Sequence, residues 1–154
     1  MIVVLFKGRG IMSRLIEWQT RGDYSHAALF DEDNGVLYES WQTAGVRKKE
    51  NWAVHDDPTV DFFKFAHTKD EAAVIRDFLE TQLGKKYDWF SVLRFVSHTQ
   101  LRPDAKEKWF CSELVTAALE AAGIKLFKNT EPCHVPPDLI KRSVVLSKYP
   151  SALL

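Results

Sequence analysis

Cysteine is scarce: Cys111 and Cys133 are the only two in 154 residues, which rules out a disulfide-held scaffold and fits a reducing compartment as well as a single bridge. Neither has the spacing of a zinc-finger half-site. His55, His67 and His98 stand in polar or turn-like stretches without metal-ligand spacing, so no metal and no cofactor are expected. Net charge is also missing, since 21 Lys and Arg offset 21 Asp and Glu, and a chain with no basic field is not expected to bind nucleic acid. No apolar run approaches a membrane span. The run after Met1, IVVLF, is also too short for a signal-peptide core, so it is expected to be the first strand of a cytoplasmic protein. Without repeats, low-complexity tracts or linkers, residues 1–154 are expected to form one domain, long enough to bury about two thirds of its unfolded surface.

What is present is a succession of short strands followed by helices. IVVLF at 2–6 has the β-branched, continuously apolar pattern of a buried strand, and Gly-Arg-Gly at 8–10 ends it. Residues 11–20 space Ile11, Leu15, Ile16 and Gln19 like a short helix closed by Gly22. YSHAALF at 24–30 and GVLYESW at 35–41 flank Asn34-Gly35, a strong hairpin signal. Further strands are expected at 44–49 and 59–65. Thr68 and Glu71 form a capping box for a helix with Ile75, Phe78, Leu79 and Leu83 on one face and Gly84 at its end. The apolar stretch 88–97 fits a second helix or a buried irregular segment. From Cys111, the residues Leu114, Val115, Ala118, Leu119 and Ala122 recur at helical spacing up to Gly123. Pro136-Pro137 opens a short helix to about Arg142, and SVVLSK at 143–148 reads as a closing strand. Strands, then helices, then a last strand make an α+β pattern, with an antiparallel sheet packed against helices.

Two residues carry the chemistry. Cys111 stands at a helix start, where unpaired N–H groups and the macrodipole favour an anion; it is either a small core residue or a nucleophile. A nucleophile needs a base, and His26 is the candidate, although a core histidine bonded to a backbone carbonyl is the alternative. Alternation puts Tyr24, His26, Ala28 and Phe30 on one strand face and groups Leu37, Glu39 and Trp41 on the returning strand. Glu39 is therefore either an orienter of the imidazole or a solvent-facing carboxylate. An ideal two-residue turn would pair Asp33 with Val36, setting Thr43 opposite His26 and Glu39 opposite Phe30, so a bulge or longer loop within 31–35 is needed to bring Glu39 closer. Glu113 follows the cysteine closely enough that its charge would slightly oppose a thiolate. Cys133 and His134, as neighbours in an extended segment, point to opposite sides and suit a loop. Of the tryptophans, Trp41 and Trp109 flank the proposed site and are candidates to line a substrate groove, while the rest suit a core.

SHAALF, then NG and LYES, then GKKYDW and finally WFCSELVTAALEAAG resemble the circularly permuted papain-like (NlpC-type) amidases, the YiiX-like or YaeF-like group, from about residue 8 to Pro-Pro-Asp-Leu. The resemblance implies a permuted papain-like fold in which the histidine-bearing sheet precedes the cysteine helix. It implies Cys111 as nucleophile, His26 as general base and acid, Glu39 as orienter, and Tyr87 near the oxyanion, the alternative for Tyr87 being simple packing after the helix C-terminus. It also implies a thiol hydrolase, an amidase or peptidase working through an acyl-enzyme on a small peptide or acyl-amide substrate. Wall peptidases of this type usually carry glycine where this chain has Glu113, so their specificity for cell-wall peptides is not inherited. Without an export signal, a wall target would require delivery by a partner or a virion. A binding or assembly module with a spent site, and a lipid acyltransferase or thioesterase, are the competing readings.

Overall fold

The computed structural model describes residues 1–8, 22–52, 59–89 and 107–150. Its centre is a six-stranded antiparallel sheet built from β1 (Ile2–Phe6), β2 (His26–Asp31), β3 (Val36–Trp41), β4 (Gly45–Lys49), β5 (Val60–Lys64) and β8 (Ser147–Tyr149), in the order β4-β3-β2-β1-β5-β8. The uninterrupted apolar run of β1 follows from its place in the middle, covered on both faces. Val3 and Leu5 join Ala27, Leu29, Tyr38, Val46 and Phe63 in one cluster, and Ile2 and Val4 join Ala28, Phe30, Leu37 and Phe62 in the other. The first cluster is completed by α1 (Lys69–Gln82) and α2 (Cys111–Ala121), which bring in Ala72, Ile75 and Leu79, and Leu114, Val115, Ala118 and Leu119. The expected α+β architecture is present.

The β2–β3 hairpin turns on four residues. Asp31 pairs with Val36, so Glu32 to Gly35 form the loop and Glu39 lies opposite Ala28, two positions from where a tight Asn-Gly turn would have put it. Asp31 supplies the physical reason. Its fully buried carboxylate accepts from Asn34 Nδ2 at 2.8 Å and from Arg76 Nε of α1 at 2.7 Å, which draws the Asn34 side chain inward. Gly35 takes the positive φ that the loop end requires. A shift of two residues keeps every side chain on its expected face and moves Glu39 one level toward His26.

Helix α1 starts with the expected capping box: Thr68 Oγ1 accepts the Glu71 N–H at 3.1 Å and Glu71 Oε2 accepts the Thr68 N–H at 2.6 Å. After it, the chain runs back against β4, where Gly84 N–H donates to the Val46 carbonyl at 2.9 Å and Val46 N–H donates to the Lys85 carbonyl at 2.8 Å. Gly45 is required at that contact, because its φ is +69° and a Cβ there would stand 2.1 Å from the Lys85 oxygen. The chain then forms β6 (Lys86–Tyr87), which pairs in parallel with β7 (Lys108–Trp109) just before α2. The pattern had not signalled this two-stranded element, too short to show a period.

After α2, a 3-10 turn (Pro132–His134) leads into the single-turn α3 (Pro137–Ile140). The strand expected over 143–148 begins later. Ser143 is tied to the Leu126 carbonyl through its hydroxyl at 2.8 Å and accepts the Leu146 N–H on its own carbonyl at 3.2 Å, so 143–146 turn and leave Val144 97% exposed. The helix expected at 11–20, all but the first two residues of the 88–97 segment, Trp18, His55 and His98 lie outside the described residues.

Candidate active site

His26 opens β2 at the end of the sheet, paired with Phe6, and its ring lies 5.3 Å from the Phe6 ring and 5.2 Å from Trp41, edge-on to the latter at 88°. Its Nε2 is 2.7 Å from Glu39 Oε2. Glu39 is 1% exposed and its other oxygen, Oε1, accepts from Arg47 Nε at 2.9 Å and Arg47 Nη2 at 2.7 Å, with Lys49 Nζ at 2.9 Å. Register explains the partnership, because Arg47 of β4 stands directly opposite Glu39. Burial alone would raise the Glu39 pKa; the contacts with His26, Lys49 and Arg47 outweigh it and hold the carboxyl down at about 2.

Cys111 is the first residue of α2 and is 1% exposed. Its side chain acts on the His26 imidazole electrostatically. Nε2 is committed to Glu39. Burial by itself would lower the His26 pKa, but the neighbouring Cys111 side chain, and then the Glu39 carboxylate, push it up to about 9. Carboxylate, imidazole and thiol are thus neighbours, Glu39 bonded to the ring and Cys111 close enough to shift its pKa. Their donor atoms do not converge on one point as a chelate's would.

The start of α2 is capped in an unusual way. Phe110 precedes the helix and its N–H donates to Glu113 Oε2 at 3.3 Å, so the buried carboxylate that follows Cys111 serves a backbone donor upstream of it. The first N–H groups of a helix have no intrahelical partner and are available to an anion. Ser112 fastens the helix start to the following loop by donating its hydroxyl to the Val135 carbonyl at 2.5 Å.

Tyr87 is buried on β6, its ring 5.9 Å from Phe110 and 5.1 Å from Trp89. Burial, then Cys111 and Asp88, raise its pKa well above the usual tyrosine range, so the phenol keeps its proton and can donate it in a hydrogen bond. A depression of about 360 Å³ reaches Tyr87 from the β3–β4 turn, lined also by Thr43, Gly45, Lys86, Trp89 and Lys108. Trp41 is 37% exposed beside His26, with the Arg47 guanidinium 4.9 Å and the Lys49 ammonium 5.6 Å from its ring. Trp109, expected beside it, instead donates its indole N–H to Gln82 at 3.1 Å and packs on Phe78, both of α1.

Arg47 and Lys49 escaped sequence reasoning, although the signal was there: a third strand, AGVRKK, places basic side chains against a strand that carries a buried acid. Cys133 and His134 also differ from expectation. They lie in a 3-10 turn and not in an extended segment, and with Glu131 their donor atoms fall within 4.8 Å of one another. Among the described residues this is the one group of three His, Cys, Asp or Glu side chains whose donors converge in that way. His67 is held elsewhere, its ring nitrogens 3.0 Å from the Phe65 carbonyl and 3.2 Å from the Met1 amino group.

The sequence matches no protein-family model, and no curated protein matches it. The fold is similar to the crystal structure of the metalloprotein yiiX from Escherichia coli O157:H7, with a TM-score of 0.67 over 97% of this chain and 94% of that one at 17% sequence identity. At that identity the likeness is one of fold.

Proposed function

We propose that the protein is a thiol hydrolase with a circularly permuted papain-like fold, cleaving an amide bond of a small peptide or acyl-amide through Cys111, His26 and Glu39. The observation that carries this reading is the grouping of a buried carboxylate bonded to an imidazole with a helix-start thiol beside that imidazole. A core thiol has no use for a base, and a core histidine has no use for a carboxylate shared with an arginine and a lysine. The yiiX-like fold supports the permuted arrangement, with the histidine-bearing sheet ahead of the cysteine helix. That neighbour is described as a metalloprotein, whereas the group at Cys111 lacks the convergence a metal needs, so the reading rests on thiol chemistry.

In the mechanism, His26 takes the proton of the Cys111 thiol, and Glu39 holds the resulting imidazolium through Nε2. The sulfur attacks the acyl carbon to form a C–S bond. The carbonyl oxygen becomes an oxyanion held by N–H groups at the start of α2 and by the protonated Tyr87 phenol. The C–N bond then breaks as His26 returns its proton to the leaving amine, which departs. Water enters, gives a proton to His26 and adds its oxygen to the thioester. Breaking the C–S bond releases the acid and returns the proton to sulfur. Glu39 touches no reacting atom and acts as a positioning residue, itself held by Arg47 and Lys49. The test is a panel of peptide, acyl-amide, ester and thioester substrates given to the native protein and to Cys111→Ala. Turnover that vanishes in the variant supports the proposal, and turnover that survives in it overturns the proposal.

The burial of Cys111 favours a second reading, a papain-like binding or assembly module with a closed site. A substrate reaches a sulfur that is 1% exposed only when a neighbouring side chain moves. Fast alkylation of Cys111 by iodoacetamide at neutral pH distinguishes the enzyme from the module, in which the thiol reacts slowly.

A further inference from the structure

Away from Cys111, the turn at 131–134 gathers three donors of different chemistry. Cys133 Sγ is 3.6 Å from His134 Nδ1 and 3.8 Å from Glu131 Oε2, and those two atoms are 3.9 Å apart. The three atoms form a nearly equilateral triangle. Its centre lies about 2.2 Å from each corner, against roughly 2.0–2.3 Å for zinc bonded to carboxylate, imidazole and thiolate. An ion fits there with adjustments of a few tenths of an ångström in exposed side chains.

The backbone prepares the triangle. Pro132 fixes φ at the first position of the turn, His134 N–H donates to the Glu131 carbonyl at 2.9 Å, and Val135 N–H donates to the Pro132 carbonyl at 3.1 Å. The far end is anchored by Val135, whose side chain is fully buried and whose carbonyl accepts from Ser112. Little loop entropy is left to lose on binding.

We propose that Glu131, Cys133 and His134 bind one Zn²⁺ ion, with solvent completing the coordination. The donor set selects the metal class. A thiolate and an imidazole suit a borderline-soft ion such as Zn²⁺ over Mg²⁺ or Ca²⁺, and thiolate plus carboxylate neutralise its charge. The side chains of Glu131 and His134 are about half exposed, so an ion can reach them from solvent. The site is separate from Cys111, His26 and Glu39, whose donor atoms do not converge in this way. Its position links the two nonetheless, because the anchored end of the turn is bonded to the residue after Cys111.

The experiment titrates the reduced, metal-free protein with Co²⁺ as a spectroscopic stand-in and then displaces it with Zn²⁺. One equivalent with a near-ultraviolet sulfur-to-cobalt charge-transfer band is expected, unmoved by excess Mg²⁺ and displaced by Zn²⁺. The band should be lost in Cys133→Ser and weakened in His134→Ala, both checked by circular dichroism, and should persist in Cys111→Ala. Absence of the band from the native protein, its survival in Cys133→Ser, its loss in Cys111→Ala, or half an equivalent per chain would each overturn the assignment.

Discussion

Replacing Glu39 by Gln keeps the size of a fully buried side chain while removing the charge that His26, Arg47 and Lys49 share. The His26 pKa, now pushed up to about 9, loses one of its two supports, and the Arg47 and Lys49 cations that Glu39 had neutralised then oppose the imidazolium. Loss of an opposite charge at this range is worth about 1–3 pH units. The His26 midpoint should therefore fall by at least about 1 unit, or about 1.4 kcal/mol. The stability profile follows from the signs. A histidine whose pKa rises from 6.5 to about 9 on folding contributes stability that is complete below 6.5 and is lost as pH climbs through 9, in total on the order of 3 kcal/mol. A carboxyl held down from 4.5 to about 2 contributes stability that is present above 4.5 and is lost as pH falls through 2. Glu39→Gln should thus flatten the acid limb and lower the stability between the two pKa values. It should be measured by NMR titration of the His26 ring and by denaturant unfolding across pH. A His26 midpoint that stays near 9 in the variant, with an unchanged acid limb, would refute the reasoning.

Three further perturbations test separate parts of the structure. Gly45→Ala should cost about 2–3 kcal/mol in urea unfolding, since it combines a positive φ with a methyl driven against the Lys85 carbonyl; a loss under about 1 kcal/mol would mean that the 84–86 segment does not pack there. Thr68→Ala removes one arm of the capping box and should lower stability by about 1 kcal/mol without affecting Cys111 reactivity. Tyr87→Phe should reduce turnover with little change in KM if the phenol serves the oxyanion, by about 10²–10³-fold for the loss of one such donor; unchanged kcat would assign Tyr87 to packing alone.

The central hairpin was legible because alternation survives a change of loop: His26, Ala28 and Phe30, and Leu37 and Glu39, keep their faces whether the turn has two residues or four. The level was not legible. It depended on Asp31 drawing Asn34 inward and meeting Arg76, which lies on a helix much later in the chain. Arg47 and Lys49 were hidden for the same reason, since their role exists only once β4 is paired with β3. Trp109 shows the limit of proximity in sequence: it stands two residues from Cys111, yet the parallel β6–β7 pair turns it toward α1. Adjacent in sequence, Cys133 and His134 suit an extended pair, and the 3-10 turn started by Pro132 is what brings their donors together.

The most direct test of the thiol-hydrolase reading is the rate of Cys111 alkylation by iodoacetamide as a function of pH, in the native protein and in His26→Ala, with Cys133 replaced by Ser in both. A thiol served by His26 is predicted to react fast in the native protein at neutral pH, and His26→Ala should return it to the slow rate of an ordinary thiol. Identical slow profiles in the two proteins would contradict the account.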